Sequence, residues 1–511
     1  MIRRGSVKPE SIFLRGVNRD LRIKGTHTAF LGYQLGNTSS RDVGGVWLEW
    51  QWKENRFELR NDRYGIYPAF FYETKDGFGV STNIVDLLQN GAPLELDDAA
   101  IAVFLRLGYF IGDDTPFKAI RAVPPGSTLA WDEDGFHLHS DDIRRHCKTR
   151  PLSSEAAIRE YGELFQWSTA RFVSDKADKV ALPLSGGRDS RHILFALKRS
   201  NRMPDCCVTV QHVAGRPDED QIVAAEVARY LESRHVILEQ SQALLDAELE
   251  KNELTSFCAD EHAWMLPLRR YLQHQDFSVV FDGIGGDILS AGLYLNEKRL
   301  DLYEAGNLRG LAENILPYEG YLPIMLTPTA YRKWNREAAI NHLMIELQKY
   351  SGSANPVGQF YFWNRTRREI ALNPWAILTD PCHVFAPYLC EEVYDFLAAL
   401  PASNFLDHTF HSETIRRFYP EYAHLPFQTM AGVQTRADRT AIAKYCLGTA
   451  RYCFPSKRSE PHVNYWTFLC PRLVKGLIDV DYGTQMVGIC TMPIYLRHLE
   501  RTVDVVSSPA W

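Results

Sequence analysis

Two short turns in the 511-residue chain carry residue types suited to handling a polyphosphate. The first lies in "ALPLSGGRDSRHILFAL" (residues 181–197). An apolar run ends at Leu184, Ser185, Gly186, Gly187, Arg188, Asp189 and Ser190 follow, and a helix-like pattern begins. A parallel strand leading into a helix delivers free backbone N–H groups and a positive dipole end at the carboxyl edge of a sheet, which is an anion site. The two glycines let the backbone approach a phosphate and tolerate positive φ. Ser185 and Ser190 add hydroxyls. Asp189 suits a phosphate only through a metal, since a carboxylate beside phosphates is how Mg²⁺ is usually held. The loop therefore reads as a pyrophosphate cradle with a magnesium ligand. It is not the GxxxxGK[ST] loop, which is absent here. The plain alternative is a strand–turn–helix that merely needs glycines.

The second turn, "FDGIGGD" (residues 281–287), follows the apolar run 277–281 and also ends in a carboxylate. Alone it reads as a tight turn. If both turns lie at one sheet edge, Asp189 and Asp287 can share one metal–pyrophosphate.

The elements around these turns divide the chain. Residues 1–150 read as β-rich: "GGVWLEWQWKENRFELRNDRYGIYPAFFYETKDGFGVST" alternates apolar and polar residues, and Lys75 to Gly77 is a hairpin signal. Residues 96–110 read as a helix with acids in its first turn, and residues 123–140 as a Pro-Gly turn, a strand, an Asp-Gly turn and a strand. A polar linker is expected over 141–155. Residues 151–511 begin with a helical pattern, then alternate strands (180–184, "DCCVTVQH", "HVILE", 277–281) with helices, which argues for a parallel sheet. After about residue 300 the pattern is mostly helical and aromatic-rich.

Composition sets the broad class. The chain is 45% hydrophobic and 23% charged with net charge -6, the balance of an ordinary globular protein rather than a nucleic-acid or membrane binder. Ten cysteines are spread without a CxxC pair, which reads as reduced, mostly buried thiols. The first residues lack the apolar core of a signal peptide, and no apolar run is long enough to span a bilayer. A cytoplasmic location is the expectation.

"LPLSGGRDS" closely resembles the pyrophosphatase loop "LSGGLDS" of asparagine synthetases and their relatives, and "DGIGGD" resembles their "GEGSDE" segment. "LRNDRYGIYPAFFY…FGVSTNIVDLL" is similar to the family's Arg-Asp-Arg-x-Gly-x-x-Pro strand and the segment after it. "LGYFIGDDTPFKAIRAVPPGSTL" resembles the stretch before its synthetase domain, and "APYLCEEVYDFLAALP" its "PFLD…EFALSLP". The resemblance implies an α+β, glutaminase-like (Ntn-hydrolase-like) first domain over 1–150. It implies an α/β PP-loop ATP pyrophosphatase domain (adenine nucleotide α-hydrolase-like), with a helical C-terminal part, over 151–511. It implies an ATP- and Mg²⁺-using enzyme that adenylates a carboxylate and lets a nitrogen nucleophile displace AMP. Leu184, Ser185, Gly186, Gly187, Asp189 and Ser190 would bind ATP and its phosphates. Val210 would meet the adenine through its backbone, unless it is plain core strand, and Asp282 and Gly283 would lie near the nucleotide. Asp189 and Asp287 would hold the metal.

The sequence departs from the family at four places. Glutamine-hydrolysing relatives begin Met-Cys, whereas residue 2 is Ile and the first cysteine is Cys147. A distant thiol cannot serve as an N-terminal nucleophile, so the first domain is expected to be inactive and structural. Ile284 stands where asparagine synthetases have a glutamate and β-lactam-forming relatives a tyrosine. No lysine lies within 427–433, where relatives have one; Arg436, Arg439 and Lys444 are the nearby candidates, with Arg436 and Lys444 the expected catalytic cations. Arg188 and Arg191 either grip an anion or form an exposed pair on the first helical turn.

These features point to an AMP-forming amide ligase acting on a small-molecule or peptide carboxylate, with ammonia or an amine as nucleophile. The setting would be specialised biosynthesis, of a peptide natural product or a surface polysaccharide; lasso-peptide cyclases are relatives that also dispense with glutaminase activity. No nucleic-acid or membrane partner is expected, and a homodimer is an allowed assembly. Two alternatives stay open: ammonia-dependent asparagine synthesis, and a nucleotide-binding scaffold without catalysis.

Overall fold

The computed structural model describes residues 2–4, 10–17, 20–36, 44–75, 77–140, 149–172, 178–211, 219–241, 243–316, 318–379, 382–428, 438–455 and 461–507. Two antiparallel sheets build the N-terminal part. One has the order β1 (Ile2–Arg4), β4 (Thr28–Leu35), β5 (Gly44–Lys53), β6 (Arg56–Asn61), β10 (Ser127–Asp132), β11 (Gly135–Ser140). The other runs β3 (Asp20–Gly25), β2 (Ser11–Val17), β8 (Gly77–Ser81), β7 (Phe70–Thr74), β9 (Ile120–Ala122). The sheets face each other through aromatic contacts such as Phe57 to Phe78 (5.4 Å between centroids) and Phe71 to Phe136 (5.4 Å). The expected hairpin is present, with Thr74 opposite Gly77. Helices α1 (Ile84–Gln89) and α2 (Asp98–Leu107) follow the second sheet's strands, and Asp97 caps α2 through Ala100 N–H. Most of the expected linker, 141–148, lies outside the described residues.

Helix α3 (Ser154–Arg171) opens the second part, capped by Ser153. A five-stranded, wholly parallel sheet follows, with the order β14 (His235–Glu239), β13 (Cys206–Gln211), β12 (Val180–Pro183), β15 (Val279–Phe281), β16 (His383–Phe385). Its helices include α4 (Asp189–Arg199), α5 (Glu219–Tyr230), α6 (Leu244–Leu254), α7 (Met265–His274) and the single turn α8 (Gly286–Leu289). The mostly helical reading after residue 300 misses β16. Three residues are too few to carry a strand pattern, and only pairing with β15 identifies them. Because β12 and β15 are adjacent and parallel, the turns after them leave the same edge of the sheet.

The two parts share a buried seam. Tyr33 of β4 packs edge-on against Phe385 of β16 at 4.6 Å. Residues 362–370 form a π-helix, and it carries two buried arginines into the N-terminal part. Arg367 donates to the carbonyls of Gly65, Gly112 and Val123 and to Asp113, and Arg368 donates to the carbonyls of Gly112 and Asp114. Gly65 is required there: its φ is +57° and a Cβ would lie 2.9 Å from Pro125 Cα. Nine described cysteines are unpaired and eight of them are buried, as expected; Cys147 lies outside the described residues.

Arg367→Met should take the described donor from the carbonyls of Gly65 and Val123 and the ion-pair partner from Asp113, while Gly112 O keeps Arg368. Orphaned buried groups cost about 1–3 kcal/mol each when they cannot rehydrate. A loss of at least about 3 kcal/mol in urea unfolding is expected; wild-type stability would show that the seam contributes little.

Candidate active site

The first turn is built by β12 delivering Leu184 to the sheet edge, where its N–H donates to Val208 O (2.8 Å) and its carbonyl accepts Thr209 Oγ1–H (2.6 Å). Ser185 N–H donates to Ser190 Oγ (3.1 Å), and Gly187 N–H to Ser185 Oγ (3.2 Å). Helix α4 then begins with Arg188 as its N-cap and no side-chain cap. Its first N–H groups and its dipole end are thus left for an anion, unlike those of α1, α2 and α3, which Asn83, Asp97 and Ser153 cap.

The glycines work differently from expectation. Neither Gly186 nor Gly187 has positive φ. Gly186 is needed for space: a Cβ would lie 3.1 Å from the side chains of Gln428 and Val223. Its N–H, expected to meet a phosphate, instead donates to Asp220 Oδ1 at 2.8 Å. The arginines also separate. Arg191 is 1% exposed, donates to Gly186 O and Leu425 O, and lies over the Phe427 ring at 4.4 Å. It supports the loop from inside, which rules out the exposed pair; Arg188 is exposed.

The second turn packs directly on the first. A Cβ at Gly283 would lie 2.7 Å from Asp189 Cβ, and one at Gly286 2.6 Å from Asp189 Cγ. Both glycines exist because the Asp189 side chain fills the space beside them. Gly285, at φ +89°, turns the chain into α8. Both turns border one cavity of about 300 Å³, lined among others by Leu184, Ser185, Asp189, Ser190 and Val210 from the first half of the site. Asp282, Gly283, Ile284 and Asp287 line it from the second turn. The structure thus brings these predicted residues together, while Gly186 and Gly187 do not line the cavity. It does not bring Lys444 there: Lys444 is exposed on the helix Arg439–Tyr452 and does not line the cavity. Arg439 is exposed at the start of that same helix. Arg436 lies outside the described residues.

Three carboxylates of the two turns set the electrostatics of the cavity. Asp189 keeps 27% of its side chain exposed, and it lines the cavity. Burial and the neighbouring charges of Asp287 and Asp282 push its carboxyl well above the usual range, against the pull of Arg188. Burial raises Asp282 to about 7, opposed by the N–H groups of Ile284 and Gly283. Burial also raises Asp287, opposed by Arg365. Three buried, hard carboxylates, of which Asp189 is raised further by the other two, next to an uncapped helix start, fit a divalent cation with a polyphosphate.

Sequence reasoning missed several contributors. Arg365, from the π-helix, approaches Asp287 Oδ2 at 3.9 Å and Glu369 Oε2 at 3.8 Å and lies over Tyr294. Trp264 and Ile370 join Ile284 in an apolar wall of the cavity. None sits near a recognisable motif, and only the tertiary fold collects them.

Known proteins place this geometry. The asparagine synthase family model matches residues 160–358, and the glutamine amidotransferase domain model matches residues 31–140. Residues 160–358 are thus an asparagine synthase domain and residues 31–140 a glutamine amidotransferase domain, a pairing that supports an asparagine synthetase-like family. The fold class follows: a β-rich glutaminase-like domain, then the synthetase domain with its many helices. An asparagine synthase domain makes this asparagine synthetase-like chain, in general terms, an enzyme of the ATP-dependent ligase kind. Among solved structures, the glutamine phosphoribosylpyrophosphate amidotransferase from B. subtilis, complexed with ADP and GMP, aligns with 39% of this chain at 9% identity and TM-score 0.14. The alignment spans 48% of that chain, and a likeness so slight carries no argument. No curated protein matches. Among the described residues no helix is long and apolar enough to cross a membrane.

Asp282 supplies a pH test. Its folded carboxyl is raised from 3.8 to about 7, so stability is unaffected by this group below about pH 3.8, falls as pH rises from there, and has lost the full contribution at about 7. The metal-free protein should therefore lose stability relative to its Asp282→Asn variant between about pH 4 and 7, with no further divergence above that, in urea titrations. Parallel profiles would contradict the burial of this carboxyl.

Proposed function

We propose that the protein is an AMP-forming amide ligase that adenylates a substrate carboxylate and passes the acyl group to ammonia or an amine, without hydrolysing glutamine itself. The single observation that carries this reading is the convergence of Asp189, Asp282 and Asp287 beside the uncapped start of α4 in one cavity.

In this reading a carboxylate oxygen attacks the α-phosphorus of ATP and pyrophosphate leaves. The nitrogen lone pair then attacks the acyl carbon, AMP leaves, and the nitrogen's extra proton passes to solvent or a nearby base. Asp189 and Asp287 would hold Mg²⁺, which neutralises charge on the leaving pyrophosphate. Ser185, Ser190 and the first N–H groups of α4 orient the phosphates; Leu184 and Val210 face the nucleotide from the cavity wall. Positioning and charge neutralisation supply most of such a rate enhancement.

An apolar part of the cavity wall bears on the nature of the carboxylate. Ile284 is 4% exposed and, with Trp264 and Ile370, gives the acyl portion an apolar surface. Free aspartate finds little there to recognise its charges; a larger carboxylate fits better, such as a peptide, a sugar acid or a natural-product intermediate. Arg365 is the cation at this end. The first domain has no thiol before Cys147 and is clamped to the second by Arg367 and Arg368, which supports a structural role. The reaction draws on ATP, which suits the cytoplasm.

Carboxylate-dependent exchange of pyrophosphate into ATP tests this reading. Asp189→Asn should lower exchange by about 100-fold or more, as loss of one electrostatic anchor does. Exchange unchanged by that substitution would refute the assignment of Asp189, absence of exchange with every carboxylate would favour a scaffold, and glutamine hydrolysis by the purified protein would refute the inactive first domain.

A further inference from the structure

Beside Asp189, outside the cavity lining, three buried side chains form a line that the reading above does not use. His411 Nδ1 stands 3.3 Å from Asp189 Oδ1. His411 Nε2 is 3.2 Å from Tyr388 Oη, and Tyr388 Oη is 3.2 Å from His192 Nδ1. All three residues are 0% exposed. Their rings are fixed: Phe165 stacks on His192 at 3.7 Å, and Tyr161 meets both histidines edge-on. Two nitrogens lack a hydrogen-bond partner, His411 Nδ1 and His192 Nε2. The first is at contact distance from the Asp189 carboxylate but is not aligned for a full hydrogen bond.

Proton counting orients the line. Both imidazoles are wholly buried, and each has one ring nitrogen against the Tyr388 hydroxyl. A neutral imidazole carries one N–H, and the Tyr388 hydroxyl carries one proton. If Tyr388 donates to His192, two faults follow: a bare lone pair on His411 faces Asp189, and the N–H at His192 Nε2 is buried without an acceptor. If Tyr388 donates to His411 Nε2, the His411 proton sits on Nδ1, facing Asp189 Oδ1. His192 Nδ1–H then donates to Tyr388, and only an unprotonated nitrogen is left unpaired. The Asp189 backbone carbonyl, 3.5 Å from Tyr388 Oη, is the most distant acceptor for the Tyr388 proton and would again leave a bare lone pair on His411 facing the Asp189 carboxylate. A buried orphan donor is also rarer in proteins than an under-used acceptor, so donation from Tyr388 to His411 is favoured.

We propose that His411, held as its Nδ1–H tautomer by Tyr388 and His192, is a positioning residue that binds one oxygen of Asp189 and leaves the other for the cation and pyrophosphate in the cavity. This rests on the nucleotide reading of that cavity. Hydrogen bonds behind a metal-ligating carboxylate typically change cation affinity 10–100-fold when removed.

The test is equilibrium binding of a non-hydrolysable ATP analogue titrated with Mg²⁺, a readout without turnover, alongside thermal unfolding. His411→Phe should raise the Mg²⁺ concentration for half-saturation about 10-fold or more. His411→Asn, whose amide nitrogen can take the place of Nδ1, should stay close to wild type. Tyr388→Phe keeps the ring packing but frees the tautomer, and should raise the Mg²⁺ requirement; this variant and His411→Asn decide the matter if His411→Phe fails to fold. Equal Mg²⁺ curves for wild type and Tyr388→Phe, or equal shifts for His411→Phe and His411→Asn, would overturn the assignment. Wild-type protein that shows no Mg²⁺-dependent binding overturns the nucleotide reading itself, and this assignment with it.

Discussion

Parallel pairing of two neighbouring strands governs the site. With β12 and β15 side by side and pointing the same way, the turns that follow them must emerge together, and their acids must meet. Gly283 and Gly286 have no side chains because Asp189 occupies that space. The arrangement is unfavourable for three carboxylates alone: burial raises the proton affinity of all three, and the charges of Asp287 and Asp282 raise that of Asp189 further. A site held in that state by the fold gains by binding a cation, and the uncapped helix start beside it gains by binding an anion. Together they favour a metal-bound polyphosphate.

The rest of the molecule can be understood as holding that arrangement in place. Arg191 ties the first turn from within through Gly186 O and Leu425 O. The π-helix of residues 362–370 does two jobs at once. Arg367 and Arg368 fasten the β-rich part through backbone carbonyls, while Arg365 faces Asp287 at the cavity. A helix wound at five residues per hydrogen bond alters which side chains share a face, and such segments recur at functional sites. The N-terminal sheets are thereby joined to the same element that borders the chemistry.

Much of this was legible in the sequence, and the reason is local. Ser185 to Ser190 and Asp282 to Asp287 are contiguous segments whose residue types state their own geometry, so the strand–turn–helix and its acids could be read directly. The order of the two domains was likewise carried by contiguous motifs. What escaped depends on distant residues meeting. Strand β16 has three residues and no pattern of its own. Asp220 takes the Gly186 N–H from another helix, and Lys444 falls on an exposed helical face rather than at the cavity. Arg365 and His411 each look like ordinary helical residues until the fold sets them against Asp287 and Asp189.

The most direct test of the account is the position of a bound divalent cation. In crystals grown with Mn²⁺ and a non-hydrolysable ATP analogue, the anomalous signal should lie within bonding distance of carboxylate oxygens of both Asp189 and Asp287 and of the analogue's terminal phosphates. A manganese ion bound through the nucleotide alone, with either aspartate turned away, would contradict the claim that these two turns grip the triphosphate together.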